Sequence, residues 1–401
     1  MPTGGVGPTP ATASPARAWT MLALGTAAQT AGTVFVSTPA FLIPLLHEQR
    51  SLSLAQAGLV ASAPLVGLVL SLIAWGALAD RRGERLVIAS GLALTAVATV
   101  GAMFSTGYVA LGLFFVLGGV GAASTNAASG RVVVGWFAKD RRGLAMGVRQ
   151  IAQPLGTTLA AVIVPTAAES GIDAALAVPL IAVAPLAVIC AIGIRNPPRP
   201  ASAPALATAN PYRGSGFLWR IHLVSVLLVV PQYTLALFGL LWLIAGQGWD
   251  PIGAGLVIGA AQFVGALGRI GAGVLSDRIG SRVRPLRWIS LAAAASMLAL
   301  AAAAATQWSL APLVLVVATT ISVADNGLAF TSVAEVAGPV WAGRALGVQN
   351  TGQFVAAAAV GPVVGVLITV LGYPLAFAAS AVAPVLATPL IPDARAERDR
   401  L

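Results

Sequence analysis

Three charged side chains stand well inside long apolar stretches of this 401-residue chain, away from their ends, where charge is costly and therefore informative: Arg149, Arg269 and Asp325. Arg269 lies eight residues before Asp277, which at 1.5 Å per residue puts it about 12 Å inside its stretch. A guanidinium at that depth must face a wet cavity or a partner, because a lipid-facing one costs from about 2.5 kcal/mol upward. Asp325 is the only acid deep in a stretch, about 15 Å from the helix end. It can pair with Arg269, or take up and release a proton as a guanidinium partner comes and goes. Arg149, seven residues beyond Arg142, sits about 10 Å along its helix. It reads as a second anion contact, as an inner-gate residue, or as a side chain snorkelling to the interface. Around these three lie neutral polar residues: Gln29, Asn126, Gln153, Gln232, Tyr233, Gln262, Asn326, Asn350 and Gln353. Each alone is as readily an interhelical hydrogen bond as a ligand; together they mark a polar path through an apolar body.

Other chemistries are excluded by what the chain lacks. The single cysteine, Cys190, forms no intrachain disulfide and no cysteine metal cluster. Its two histidines, His47 and His222, are far apart and outside any H-E-x-x-H pattern, so no metal site is expected. The one lysine, Lys139, precedes Asp140, whereas a phosphate-cradling Walker A loop needs Gly-Lys followed by Ser or Thr. Without a metal, nucleophile or phosphate motif, neither an enzyme nor a bound cofactor is expected.

The elements that must position these residues follow from composition. Apolar residues make up 58% of the chain and charged residues 9%, with a mean hydropathy of +0.89. That is a chain whose solvent is the lipid bilayer. Apolar runs predict twelve transmembrane helices near 19–45, 54–79, 86–104, 108–135, 143–167 and 174–194, then 217–245, 251–275, 287–306, 309–334, 344–369 and 374–391. The proline- and arginine-bearing stretch 195–216 is too polar to span and divides two bundles, 19–194 and 217–392. Residues 1–18 read as a disordered tail and 393–401 as a second tail.

The net charge of +10 would suggest nucleic acid in a soluble protein, but here it is a topology signal. With the amino terminus inside, 19 of the 23 basic residues fall on the cytoplasmic side. Nucleic acid is therefore discarded as a partner, and both termini are expected to be cytoplasmic. Tryptophans 19, 136, 219, 249, 288, 308 and 341 fall at predicted helix ends, where an amphipathic ring prefers the interface. Pro39, Pro44, Pro154 and Pro231 mark possible kinks.

The halves repeat one another. Gly76-Ala-Leu-Ala-Asp80-Arg81-Arg-Gly83-Glu-Arg85 falls on Gly273-Val-Leu-Ser-Asp277-Arg278-Ile-Gly280-Ser-Arg282 at an offset of 197. Gly143 to Arg149 falls on Gly343 to Gln349 at an offset of 200, extending to Gln153 with Gln353, and Asn126 meets Asn326. A parallel duplication of a six-helix unit accounts for this.

The stretch Gly76 to Arg85 and its echo resemble the G-x-L-a-D-R-x-G-R signature of the major facilitator superfamily. Gly130-Arg131-x-x-x-Gly135 resembles another of its motifs. The resemblance covers the whole chain and implies an all-α membrane protein of two pseudo-symmetric six-helix bundles, rocking about a midplane site. It further implies that the signature loops steady the outward-facing state, Asp80 clustering with Arg81, Arg85 and Arg131, and Asp277 with Arg278 and Arg282. Plain positive-inside loops are the alternative. Gly268-Arg269-Ile-Gly271 resembles the eighth helix of the monocarboxylate and oxalate/formate branches, where an arginine holds the substrate carboxylate. That resemblance makes Arg269 the first choice for an anion ligand, a buried pair with Asp325 being the alternative. The sequence departs from those branches in offering Asn350 and Gln353 on helix eleven in place of a lysine. Helix one also lacks the acidic-Gly-aromatic start of the monocarboxylate carriers.

The expectation is a monomeric secondary carrier in a bacterial cytoplasmic membrane. It would move a small organic monoanion by alternating access, with proton symport or exchange. A proton-driven efflux antiporter for drugs or metabolites is the runner-up, and a non-transporting membrane receptor a remote third.

Overall fold

Inside hydrocarbon the backbone has no partner but itself, so each long apolar run closes into a helix. A computed structural model describes residues 15–50, 52–197, 210–213 and 216–398, without the side chains of 48–50, 54, 55 and 251. Most of the expected amino-terminal tail, much of the 195–216 linker, Arg199 and Arg400 lie outside the described residues.

The first half runs α1 (Pro15–Phe41), α2 (Ile43–Arg50), α3 (Leu54–Arg82), α4 (Glu84–Met103), α5 (Tyr108–Trp136), α6 (Arg142–Arg149), α7 (Ala152–Ala168) and α8 (Ile172–Gly193). The second runs α9 (Phe217–Leu241), α10 (Pro251–Ile279), α11 (Val283–Ala305), α12 (Ala311–Val323), α13 (Asp325–Ser380) and α14 (Val382–Leu390), with a short terminal helix α15 (Ala394–Arg398). A one-turn π segment, Trp242–Gly246, extends α9.

The pieces join into twelve crossings. α1 and α2 form one crossing interrupted just beyond Pro39, and α6 and α7 form another, interrupted at Gln150 and Ile151. The 56 residues of α13 would be about 84 Å of straight helix, nearly three hydrocarbon thicknesses. The run is broken at Gly338 (φ 71°, ψ 174°) and Gly372 (φ 78°, ψ 170°), a conformation that favours glycine. It therefore supplies the end of crossing ten, all of eleven and the start of twelve. The predicted spans hold in number; the second, eighth and ninth reach further into the loops than expected, to Arg82, Ile279 and Val283.

The halves meet at one end only. At the arginine-rich end an apolar core crosses between them, with Val133, Ala145 and Met146 among Leu218, Leu328, Val333 and Leu346, and Phe354 of the second half packs with Leu68, Leu72 and Ala123 of the first. At the opposite end each half keeps its own core, around Phe35, Leu42, Phe115 and Leu176 in the first and Leu235, Trp242, Leu300 and Phe377 in the second. In keeping with this, α10 packs on α6, while α7 has at most a marginal contact with it. The approach depends on paired glycines. A Cβ on Gly76 would collide with the carbonyl of Gly343, and one on Gly273 with the carbonyl of Gly143. Helix backbones thus touch directly across the two halves.

Candidate functional site

Two latches close the arginine-rich end, and the duplication makes them near copies. Asp80, at the end of α3, accepts the backbone N–H of Gly343 (2.8 Å) and of Arg344 (3.0 Å) from α13. Asp277, at the end of α10, accepts those of Gly143 and Leu144, both 2.9 Å, from α6. Asp277 thus occupies the first turn of α6, where free N–H groups and the helix dipole favour a negative charge, whereas Asp80 meets the backbone of α13 five and six residues beyond its break at Gly338.

A three-charge cluster holds each aspartate, with the roles exchanged between halves. Arg131, on α5, donates to Asp80 and, through Nε, to Glu84 at 2.7 Å. In the second half Arg282 lies in the loop, donating to Asp277 (2.5 Å) and to Glu335 of α13 (3.2 Å). Burial works against the charge of Arg282, but Glu335 and Asp277 outweigh it and hold the guanidinium more firmly protonated than a free arginine. Arg282 also donates to the carbonyl of Lys139 (2.8 Å), and Arg142 lies 3.4 Å from Glu335, both contacts crossing between the halves.

The sequence expectation placed Arg85 on Asp80 and Arg278 on Asp277, and the structure corrects both. The Arg85 side chain turns to the Ala191 carbonyl (2.5 Å), and Arg278 is exposed. The Arg85 and Arg282 backbones instead reveal a cap that sequence reasoning missed. The Arg85 N–H is accepted by Asn196 just beyond α8 (3.0 Å), and the Arg282 N–H by Glu397 of α15 (2.7 Å). Glu397, only 1% exposed, also accepts the Ser281 hydroxyl at 2.5 Å.

Behind the latches comes a layer of buried guanidinium groups. Arg149 ends α6 with 1% exposure. It donates to Gln29 Oε1 and Ser129 Oγ, both 2.9 Å, and to the Met146 sulfur at 3.1 Å. Its guanidinium lies 5.2 Å from the ring centre of Phe330, which belongs to the other half. Arg269 on α10 donates to the carbonyls of Val323 (3.3 Å) and Gln150 (2.9 Å). The Gln150 carbonyl is free to accept because the residue four further on, Pro154, has no N–H to offer it. Asp325 is within electrostatic reach of Arg269 but forms no ion pair with it. Both Asp325 carboxylate oxygens are buried without a side-chain hydrogen-bond partner among the described residues, the backbone N–H groups of Asp325 and Asn326 being the donors close to them. The direct Arg269–Asp325 pair, the alternative reading from sequence, is thus not formed, because Arg269 is spent on carbonyls.

Repeat symmetry is broken at these charges. Arg149 corresponds to Gln349, and by the same offsets Arg269 corresponds to Leu72 and Asp325 to Thr125. Gln349 is met by His222, whose other ring nitrogen faces the Tyr212 hydroxyl at 3.0 Å. Burial pushes the Tyr212 phenol up to about 12, so it remains a neutral donor at physiological pH.

Above the arginines, between the halves, a cavity of about 20 Å³ has room for about one water molecule. Its walls are almost all amides and rings: Gln29, Asn126, Gln150, Gln153, Gln232, Tyr233, Asn326, Phe330, Asn350, Gln353 and Phe354, with Val229. Bonds run along the walls from Gln29 to Asn126 (3.1 Å), and from Gln353 to Asn326 (3.0 Å) and on to Gln232 (3.0 Å). Asn350 spends its amide on Leu346 of its own helix (2.8 Å). Of the sequence candidates, Gln262 is not brought to this cavity, since its face of α10 turns elsewhere. Arg149 and Arg269 stand directly behind the walls and do not line them. A larger space of about 510 Å³, lined by Trp19, Leu22, Thr26, Thr30, Leu155 and Leu186 among others, is almost wholly apolar and lies among α1, α6, α7 and α8.

A family model described as Major Facilitator Superfamily matches residues 22–361. An uncharacterized MFS-type transporter of Mycobacterium tuberculosis, Rv2994, is 44% identical over 376 residues, covering 93% of this chain and 84% of the relative. The same organism's probable nitrate/nitrite transporter NarK2 is 29% identical over 65% of this chain and 66% of its own length. A phosphoglycerate transporter protein of Salmonella typhimurium is 28% identical over 42% of this chain and 37% of its own. Among solved structures, the proton:xylose symporter XylE superposes with a TM-score of 0.75 at 16% identity, covering 93% of this chain and 95% of that one, a likeness of fold alone. The monocarboxylate and oxalate/formate branches do not figure among these relatives. With twelve crossings, a duplicated six-helix unit and both signature loops seated across the interface, the chain is a multi-pass membrane transporter belonging to the major facilitator superfamily.

Proposed function

We propose that the protein carries a small organic monoanion across the bacterial cytoplasmic membrane by alternating access, with Asp325 carrying the coupled proton. One observation carries this reading. Two buried guanidinium groups stand immediately behind the cavity between the halves, and among the described residues only one carboxylate, Asp325, is in their reach. Such a site has a positive field in a low-dielectric surround and favours an anion over a cation. The cargo named for two relatives, nitrate or nitrite and phosphoglycerate, is anionic as well.

The arginine-rich end is assigned to the cytoplasm by the positive-inside rule, so the latched state faces outward. Closure around an anion and rupture of the two latches would then turn the site inward, each half moving as a body. Asp325 suits the proton because its buried oxygens meet no side-chain hydrogen-bond partner among the described residues and it adjoins Asn326 on the cavity wall. The test is uptake and counterflow in proteoliposomes, using labelled acetate, lactate and nitrate against the lipophilic cation tetraphenylphosphonium under an acid-outside gradient. Exchange of at least one anion is expected. Movement of the cation with no anion exchanged would overturn the reading in favour of efflux of hydrophobic cations.

A further inference from the structure

The two buried guanidinium groups are not equivalent, and their surroundings divide the work between them. Arg269 has Asp325 within electrostatic reach, and its bonds run to backbone carbonyls. One of those carbonyls, Gln150, is in the opposite half, so Arg269 ties α10 across the interface to the break between α6 and α7. Arg149 has no ion pair among the described residues. Its neighbours are a glutamine oxygen, a serine hydroxyl, a thioether and the face of Phe330. Neutral dipoles offset only part of the cost of burying a cation. The fold itself does not require a charge here, because the second half builds the same position with Gln349.

We propose that Arg149 is the seat of the transported anion's single charge, and that Arg269 closes the interface without holding cargo. This rests on the anion-carrier reading and narrows it to a cargo with one anionic group. The anionic group docks on the first half, and the rest of the molecule lies against the amides of Gln232, Asn326 and Gln353 on the second. Phe330 covers Arg149 in the empty protein and comes from the second half. An anion must displace that ring to reach the guanidinium, and a charge-assisted pair is stronger than a contact with a ring face. Ring displacement moves the segment of α13 that also carries Asp325, five residues before, so occupancy of Arg149 is passed to the proton site through one helix.

The experiment uses the full chain in detergent, with thermal unfolding followed in sodium sulfate and in sodium nitrate or sodium lactate at matched ionic strength. In the wild type, nitrate or lactate is expected to raise the midpoint. Arg149→Gln is expected to unfold at a higher temperature than the wild type in sulfate, and to lose affinity for the probe by about tenfold or more. Arg149→Lys should recover part of that affinity. Arg269→Gln should lose less affinity than Arg149→Gln. In sulfate it should unfold at a lower temperature than the wild type, because it leaves Asp325 and the Gln150 carbonyl without their cation. The assignment is overturned if Arg269→Gln abolishes the anion-dependent shift while Arg149→Gln preserves it, or if Arg149→Gln destabilises the protein in sulfate as much as Arg269→Gln does. A wild type indifferent to both probes, with Arg149→Gln nevertheless stabilised in sulfate, would count against the monoanion cargo while leaving Arg149 as the uncompensated charge.

Discussion

Replacing Asp277 by asparagine should shift the protein away from the state described here, and the geometry sets the size of the shift. The carboxylate sits on α10 and its two backbone partners, Gly143 and Leu144, on α6 of the other half, each at 2.9 Å. Both bonds exist only while the halves are joined at the arginine-rich end, so their loss is wholly differential between the two states. Hydrogen bonds to a charged group contribute about 1.5 to 3 kcal/mol each and neutral ones about 0.5 to 1.5. Asparagine keeps one neutral acceptor, which leaves a net loss of about 2 to 4 kcal/mol, or about 30-fold to about 700-fold in the equilibrium. A 99:1 preference for the latched state would fall to about 3:1 at the lower figure. Arg282 keeps its contacts to Ser276, Glu335 and the Lys139 carbonyl, so the cluster should survive while the latch fails. Spin labels at Arg82→Cys and Arg278→Cys, both exposed, in a Cys190→Ser background would report the separation of the halves by pulsed electron resonance. Asp277→Asn should add a longer-distance population; an unchanged distribution would refute the latch and reduce the signature loop to a topology signal.

Three further outcomes follow from the same contacts. Gly143→Val puts a branched side chain where a bare Cβ already meets the Gly273 carbonyl and Asp277, so the same labels should show the arginine-rich end held apart and counterflow should stop. Glu397→Gln weakens the bonds to the Arg282 N–H and the Ser281 hydroxyl; it should cost about 1 to 3 kcal/mol, read as a lowered thermal midpoint, and no change would show that α15 is merely appended. Asp325→Asn removes the one carboxylate near the cavity and should abolish accumulation driven by a pH gradient while sparing counterflow; gradient-driven uptake at the wild-type level would take the proton role from it.

The latches show how a signature loop can act through reach. Asp80 and Asp277 each stand at the end of one helix, yet what they bind is the backbone of another helix in the opposite half. Two of the loop arginines expected beside them, Arg85 and Arg278, are not the ones that hold them. Arg131 and Arg282 do so, together with the acids Glu84 and Glu335, which composition alone gave no reason to single out. Glu335 had a faint signal, since it is an acid at the edge of an apolar stretch with two glycines and a proline close behind it. Asn196 and Glu397 had another, because they stand 201 residues apart, close to the repeat offsets of 197 and 200, but only the duplicated frame makes that spacing meaningful.

Twelve crossings, a duplicated six-helix plan, the signature aspartates and the three unusual charges at depth were all legible in the residues alone. Hydrocarbon allows so few backbone structures that length and polarity suffice to place a helix, and a buried charge is conspicuous wherever it stands. The partners of those charges were not legible. Whether Arg269 meets Asp325 or the carbonyl of Gln150, whether Gln262 turns to the cavity, and whether Arg149 lines the cavity or stands behind its wall depend on helix rotation and crossing distance. Those are set by packing between segments more than a hundred residues apart, where glycine pairs such as Gly143 and Gly273 fix how near two backbones come. Sequence periodicity assigns a residue to a face of its own helix; which distant helix that face meets is decided only when the two halves close on each other.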